Sequence, residues 1–312
     1  MNRKKFLLSV LSFILACCTF TGCTSGGGDL DSENATAKAD TQAETTAKEA
    51  ETQPEETKAS DVCLPKEKEY SVLFIGNSFT YCNDLPEDLF ASLCKAAGYN
   101  VKVDSVTRGG YYLHQFASSG DEYGRIIDQK FAAHQYDYII LQEQSGNAAV
   151  NPDGFFGGVR SLVRKIRKTQ DHAQVVLYET WGYKEGYHLL PTHGGDTAGM
   201  EMKLRAAYTA IAKELDLKVA LVGAAFLNVY QNNKDIELYD TDLSHPSRNG
   251  SALAACTIFT TIFGGDIREI EYNPRIGKKN IQILQEAAYS AVYDDNSVPK
   301  RQQISSEGRG GR

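Results

Sequence analysis

Short apolar segments alternate with helix-like segments along most of the chain, and this alternation is the feature that most restricts its fold. Five segments are predicted to be short strands; they are residues 70–75, 101–106, 136–141, 174–178 and 218–222. Residues 136–141 are nearly all apolar, as expected of a strand that is covered on both faces. Helical spacing predicts five helices, over residues 85–97, 124–134, 155–169, 200–215 and 247–263. Because strand–helix alternation builds parallel β-α units, we expect an α/β fold, a three-layer α/β/α sandwich with a mainly parallel five-stranded sheet.

The N-terminal segment has the composition of an export signal. Basic residues at positions 3–5 precede an apolar run over residues 6–20, and residues 20–23 read Phe-Thr-Gly-Cys. This pattern resembles a bacterial lipoprotein signal, in which Cys23 would be lipidated and would anchor an exported protein to the membrane. Cys17 or Cys18 are weaker alternatives for that role, and an ordinary cleaved signal peptide is another.

Two further segments contain few large apolar side chains and cannot bury enough surface to fold. We therefore predict a signal peptide over 1–23, a disordered tether over 24–62, one domain over 63–296 and a disordered tail over 297–312. The resulting location is extracellular, at the cell surface.

Charge and cysteine content narrow the possible partners. The formal charge of −7 argues against nucleic acid, which requires clustered Lys and Arg. No Gly-x-Gly-x-x-Gly follows the first strand, so a dinucleotide-binding function is not indicated. Four cysteines lie outside the signal, and they permit either two disulfides in three possible pairings or separate thiols; they are Cys63, Cys82, Cys94 and Cys256.

Loops beyond the carboxyl ends of parallel strands usually carry the functional residues. Ser78 follows the first predicted strand, two residues after Gly76, where its hydroxyl can project from a tight turn or simply cap a helix. Near the end of the domain, Asp242 lies three residues before His245 and can hold the imidazole in one tautomer. Together the three residues suggest a nucleophilic serine with its base and orienting acid.

The Gly76-Asn77-Ser78 and Asp242-Leu243-Ser244-His245 motifs resemble those of the SGNH, or GDSL-like, hydrolase superfamily, in a Gly-Asn-Ser variant. The resemblance covers about residues 68–265. It implies that Ser78 is the nucleophile, His245 the general base and acid, and Asp242 the orienting carboxylate. The Gly-x-Ser-x-Gly elbow of α/β-hydrolases does not occur in the sequence.

The same resemblance implies an oxyanion hole formed by the N–H of Ser78, a glycine N–H and a side-chain amide. Gly110 is the predicted glycine, with Gly109 as its alternative. Gln144 takes the place of the usual asparagine, with Asn147 as its alternative.

The remaining site predictions concern substrate and metal. Trp181, in an aromatic loop, is predicted to stack against the substrate or else to pack in a lid, and Asn77 is also predicted to contact substrate. His188, His193 and Asp196 match no zinc-binding spacing, so we expect no metal and no cofactor.

The expected activity is hydrolysis of a carboxylic ester through an acyl-enzyme, with a small molecule or a polysaccharide carrying O-acyl or O-acetyl groups as substrate. The alternatives are an O-acyltransferase with the same triad and a non-catalytic carbohydrate-binding lipoprotein.

Overall fold

The computed structural model describes residues 63–186, 188 and 195–294. Its centre is a five-stranded sheet in the order β2-β1-β3-β4-β5, in which every pair of neighbours is parallel. The strands are β1 (Glu69–Gly76), β2 (Asn100–Thr107), β3 (Tyr138–Leu141), β4 (Gln174–Tyr178) and β5 (Lys218–Ala220). The predicted α/β fold class and the parallel five-stranded sheet are confirmed.

Helices fill the connections between the strands and follow the last strand. They are α1 (Ser78–Tyr81), α2 (Ala91–Ala96), α3 (Leu113–Ala117), α4 (Glu122–Ala133), α5 (Asn147–Val150), α6 (Pro152–Arg167), α7 (Thr197–Leu215), α8 (Val222–Asn232), α9 (Arg248–Phe263) and α10 (Lys278–Tyr293). Two short 3₁₀ turns, Cys82–Asp84 and Ile267–Glu269, and a π-helical segment, Leu85–Phe90, complete the set.

Alternate side chains of the strands point to opposite faces of the sheet, and each face has its own core. Val72 and Phe74 of β1 belong to one core, which packs against α2, α8, α9 and α10. Leu73 and Ile75 belong to the other core, which packs against α3, α4, α6 and α7. Because both faces are covered, the central strand β3 is apolar and buried throughout, whereas β2, at the sheet edge, also carries Lys102 and Asp104. The two helical layers and the sheet between them form the three layers.

Several helical regions differ from prediction, including the short helices α1, α3 and α5, for which no helix is predicted. The predicted helix over 85–97 opens with a π-helical segment, because Pro86 lacks an N–H and Asp84 before it adopts a left-handed φ of 53°. Neither α8 nor α10 is predicted from the sequence. The start of α8 is a continuous apolar run, which the sequence does not distinguish from a continuation of the preceding strand. By contrast, Ile281, Leu284 and Ala288 have helical spacing, from which α10 could have been predicted.

The predictions for the chain ends lie outside the described residues; these are the segments 1–23, 24–62 and 297–312, with Cys23 as lipid anchor. No helix of the described part combines the length and the apolar character that a bilayer span requires. The four domain cysteines are separate thiols rather than disulfides, two of them buried in the core (Cys94 and Cys256).

Strand order also fixes where a ligand can bind. From β1 the chain passes to β2 on one side, and then crosses to β3 on the other side of β1. The crevice at such a switch point opens at the carboxyl ends of the two diverging strands. Ser78 follows β1 at this point, and the segment beginning at Gln142 follows β3.

Candidate active site

Ser78 is placed by a tight turn at the end of β1. A Cβ on Gly76 would lie 2.3 Å from Oγ1 of Thr80 and 2.7 Å from Oε1 of Gln142, so this position requires glycine. Asn77 caps α1, since its Oδ1 accepts a hydrogen bond from the N–H of Phe79 at 3.2 Å. Ser78 therefore begins a short helix at the rim of the sheet, with its side chain only partly buried.

The imidazole of His245 lies between Ser78 and Asp242. Its Nε2 is 2.8 Å from Oγ of Ser78, although 167 residues separate the two in sequence. Its Nδ1 is hydrogen-bonded to Oδ2 of Asp242. The backbone N–H groups of Ser244 and His245 donate to Oδ1 of the same carboxylate at 3.0 and 2.8 Å, and Leu243 adopts a left-handed φ of 62° within this turn. The structure thus brings the three predicted catalytic residues into one hydrogen-bonded relay.

Asp242 is held in its ionised form by these contacts. Partial burial acts to raise its pKa, but the bond from the His245 side chain and the two backbone N–H groups outweigh that effect and lower the pKa to about 2. The imidazole therefore faces a permanent negative charge on its Nδ1 side, which favours the tautomer that leaves Nε2 free to accept a proton from Ser78.

Two buried polar side chains after β3 tie the loops around Ser78 together, and neither is predicted from the sequence as a site residue. Oε1 of Gln142 accepts from the N–H of Asn77 and from Oγ1 of Thr80, both at 2.8 Å, which fixes the Ser78 turn. The carboxylate of Glu143 accepts from the N–H of Leu113, at the start of α3, at 3.3 Å. The loop after β3 therefore contacts both the segment after β1 and the segment after β2.

The predicted oxyanion donors occupy the rim, but no hydrogen bond described for these residues joins either of them to Ser78. Gly110 has a φ of 73° in a turn closed by the N–H of Tyr111 and the carbonyl of Arg108 at 3.2 Å, which has the form of a type II turn. Its alternative, Gly109, lies in the same turn. The oxyanion role of Gly110 remains a prediction.

The Gln144 side chain contacts its own loop. Its Oε1 accepts from the N–H of Gly146 at 3.2 Å, and its Nε2 donates to Oγ of Ser145 at 3.3 Å. The alternative donor, Asn147, is buried and its side chain is hydrogen-bonded to Glu143. Gln144 thus retains one amide hydrogen for a ligand, whereas Asn147 is engaged below the surface.

The prediction that Trp181 stacks against substrate is wrong. Its side chain is fully buried, with one face on Phe79 (centroids 4.5 Å apart) and the other on Phe226 (4.0 Å). Its Nε1 donates to the carbonyl of Ser244 at 3.0 Å, and Phe79 in turn packs edge-on against the ring of His245. With both faces covered, Trp181 supports the histidine loop, residues 242–245, through its bond to Ser244, and cannot receive a sugar ring.

The prediction that Asn77 contacts substrate is also wrong. Asn77 is 2% exposed, and its Nδ2 donates to the carbonyl of Tyr111 at 3.0 Å while its Oδ1 caps α1. Both ends of the amide are therefore used inside the protein. The Asn77 side chain therefore joins the Ser78 turn to the Gly110 turn.

Within residues 63–186, 188 and 195–294, no group of three or more His, Cys, Asp or Glu side chains is arranged to share an ion. His193, one of the three residues weighed from the sequence, lies outside the described residues.

Comparisons with known proteins identify the fold class. No protein-family model matches the sequence, and no curated protein matches it. Among solved structures, a DUF4886 family protein from Bacteroides uniformis is 21% identical with a TM-score of 0.63, covering 72% of this chain and 95% of its own. A protein from Slackia heliotrinireducens, described as "a putative SGNH hydrolase", is 29% identical with a TM-score of 0.53, covering 62% of this chain and all of its own. The chain thus has the α/β fold found in SGNH-type hydrolases.

Proposed function

We propose that this protein is a serine esterase of the SGNH superfamily, in its Gly-Asn-Ser variant branch, which hydrolyses a carboxylic ester through an acyl-enzyme. The observation that carries the proposal is the relay from Ser78 Oγ through the imidazole of His245 to Asp242, at the carboxyl end of β1. The likeness to the Slackia heliotrinireducens protein supports it. A hydroxyl, an imidazole and an ionised carboxylate in this order form the arrangement that activates serine in hydrolases.

In the first half of the reaction, Oγ of Ser78 attacks the ester carbonyl carbon while Nε2 of His245 accepts the hydroxyl proton. The Nδ1–H donates to Asp242 throughout, and the carboxylate stabilises the imidazolium that forms. The negative charge on the carbonyl oxygen is met by the N–H groups of Ser78 and Gly110 and the side-chain amide of Gln144. As the tetrahedral intermediate collapses, His245 donates its proton to the departing alcohol oxygen.

In the second half, water replaces the alcohol. His245 removes a proton from the water, the hydroxide attacks the acyl carbon, and the carboxylic acid leaves as Ser78 regains its hydrogen. No redox step or metal is needed to balance this sequence.

The proposal also covers the location of the enzyme and its substrate. Export by residues 1–23, a lipid anchor at Cys23 and a tether over 24–62 would hold the enzyme outside the cell. Acyl or acetyl groups on extracellular carbohydrate are the esters that such an enzyme would meet. A Cys23→Ala variant is expected in the soluble fraction rather than with membranes; its retention on membranes would contradict the anchor without touching the catalytic proposal.

Turnover of p-nitrophenyl acetate tests the chemistry. Wild type should hydrolyse this ester, and Ser78→Ala should reduce kcat by about 10³-fold or more. Ser92→Ala, on α2 and outside the site, is the matched control and should retain wild-type activity. Equal rates for wild type and Ser78→Ala would exclude Ser78 as the nucleophile.

A further inference from the structure

Glu143 is a buried carboxylate that the proposed reaction does not use. It is 1% exposed, and it directly precedes Gln144 in the loop after β3, where it contacts the segment after β2 that carries Gly110. Its Oε2 accepts from the N–H of Leu113 at 3.3 Å, and its Oε1 accepts from the N–H of Gln144 at 2.7 Å. One carboxylate therefore joins the segment after β2 to the loop after β3.

The remaining contacts show what the charge of Glu143 meets. The side chain of Asn147, at the start of α5, is its third hydrogen-bond partner, and no Lys or Arg among the described residues contacts its carboxylate. A buried carboxylate without a cation is costly, so three neutral donors must compensate for the lost hydration.

We expect Glu143 to take up and release its proton independently of the titratable groups near it. Burial raises its pKa to about 7, against the lowering effect of its three hydrogen bonds. Tyr208 faces it from α7, and burial first and the Glu143 charge second raise the pKa of that hydroxyl well above its ordinary value, so Tyr208 stays neutral. His114, on α3 next to Leu113, is exposed to solvent, and α5 carries no titratable side chain.

We propose that Glu143 is a positioning residue for the oxyanion-binding loops, whose ionised carboxylate holds the Leu113 and Gln144 backbones in register. The proposal rests on the esterase function proposed above. Two acceptor oxygens are needed because two N–H groups from different loops must be held at once. A protonated carboxyl gives up one acceptor to become a donor, so one of the two loops is released.

Kinetics of the wild type and of Glu143→Gln test this role. Glutamine has one acceptor oxygen, so one of the two N–H groups loses its partner. We expect kcat for p-nitrophenyl acetate to fall by about 10- to 100-fold with KM little changed, since oxyanion donors act in the transition state. Glu201→Gln is the matched control, because Glu201 is equally buried but bonds to Arg205 at 2.7 Å on α7; its kcat should stay near that of the wild type.

The pH profile separates positioning from a structural role. On the acidic side of the wild-type profile, log(kcat/KM) should fall more steeply than in Glu143→Gln, because protonation of Glu143 adds to the loss of activity. Glu201→Gln should keep the steeper wild-type profile. An unchanged slope or an unchanged kcat in Glu143→Gln would overturn the proposal.

A measurement without turnover keeps the proposal testable if Glu143→Gln does not fold. In ¹⁵N–¹H spectra of the full wild-type chain, the amides of Leu113 and Gln144 should shift together with a midpoint near pH 7. Amides that do not titrate contradict the proposal even if Ser78 is the nucleophile. Amides that titrate while Ser78→Ala stays active would instead contradict the esterase mechanism, so the two failures can be told apart.

Discussion

Two carboxylates lie on loops around Ser78, and their environments are opposite. The side chain of Asp242 is 49% exposed and accepts two backbone N–H groups and the imidazole of His245. Glu143 is 1% exposed and also has three donors, two from the backbone and one from a side-chain amide. Nevertheless the pKa of Asp242 is lowered to about 2, and that of Glu143 is raised to about 7.

The number of hydrogen bonds therefore does not decide the direction in which the pKa of each carboxylate shifts. Exposure spares Asp242 most of the desolvation cost, and the imidazole beside it can carry a compensating positive charge. Glu143 has neither advantage. We therefore expect Asp242 to stay ionised near neutral pH, where Glu143 changes its charge.

The largest expected effect is on the exposed acid. Asp242→Asn should lower kcat by about 10³- to 10⁴-fold, because an amide cannot stabilise the imidazolium and favours the wrong tautomer. Its free energy of unfolding should change by no more than about 1 kcal/mol, as for most exposed positions. Asp240→Asn, two residues away and also exposed, is the control for kcat on p-nitrophenyl acetate and for urea denaturation. An equal loss of activity in both variants would refute the special position of Asp242.

Trp181 packs beneath the histidine loop that carries Asp242, and removing its ring should have the next largest effect, which is on stability. Trp181→Ala should reduce the free energy of unfolding by about 3–5 kcal/mol, because it leaves a cavity between Phe79 and Phe226. Trp181→Phe keeps an aromatic ring in the stack and should lose less. Urea denaturation measures both, and a Trp181→Ala variant as stable as wild type would show that this stack does not hold the histidine loop.

The smallest expected effect separates the two acids by pH. The raised pKa of Glu143 means that its contribution to stability is fully present below about pH 4.5 and is lost as the pH rises through about 7. The wild type should therefore lose about 3 kcal/mol of unfolding free energy over this window relative to Glu143→Gln. The lowered pKa of Asp242 acts in the opposite sense and only at more acidic pH, so Asp242→Asn should leave this window unchanged. Parallel curves for wild type and Glu143→Gln would contradict the buried-acid account.

The fold and the residues of the relay could be predicted from the sequence, because the strand–helix alternation and each of the two site motifs are local patterns, and the resemblance of the two motifs to the SGNH superfamily joins them. Five apolar segments separated by helical spacing define the parallel sheet, and the spacing of Asp242 and His245, read with Ser78, defines the relay. The direction in which a side chain points could not be predicted in the same way. The aromatic character of the loop after β4 is evident, but only packing shows that Trp181 faces inward between Phe79 and Phe226.

The polar residues after β3 show a second limit of sequence patterns. Gln142 and Glu143 directly continue a fully buried strand, a position where polar side chains need internal partners. That signal indicates buried contacts, but it does not name the distant partners, Asn77 and Leu113, which lie 65 and 30 residues away in sequence. The role of Glu143 therefore depends on tertiary structure.

The most direct test of the proposed nucleophile is covalent labelling with a fluorophosphonate, which reacts with activated serine hydroxyls. Peptide mass analysis should place the adduct on Ser78 alone, and Ser78→Ala should remain unlabelled. His245→Ala should label far more slowly, since the hydroxyl then lacks its proton acceptor. An adduct on any other residue, or labelling of Ser78→Ala at the wild-type rate, would contradict the account.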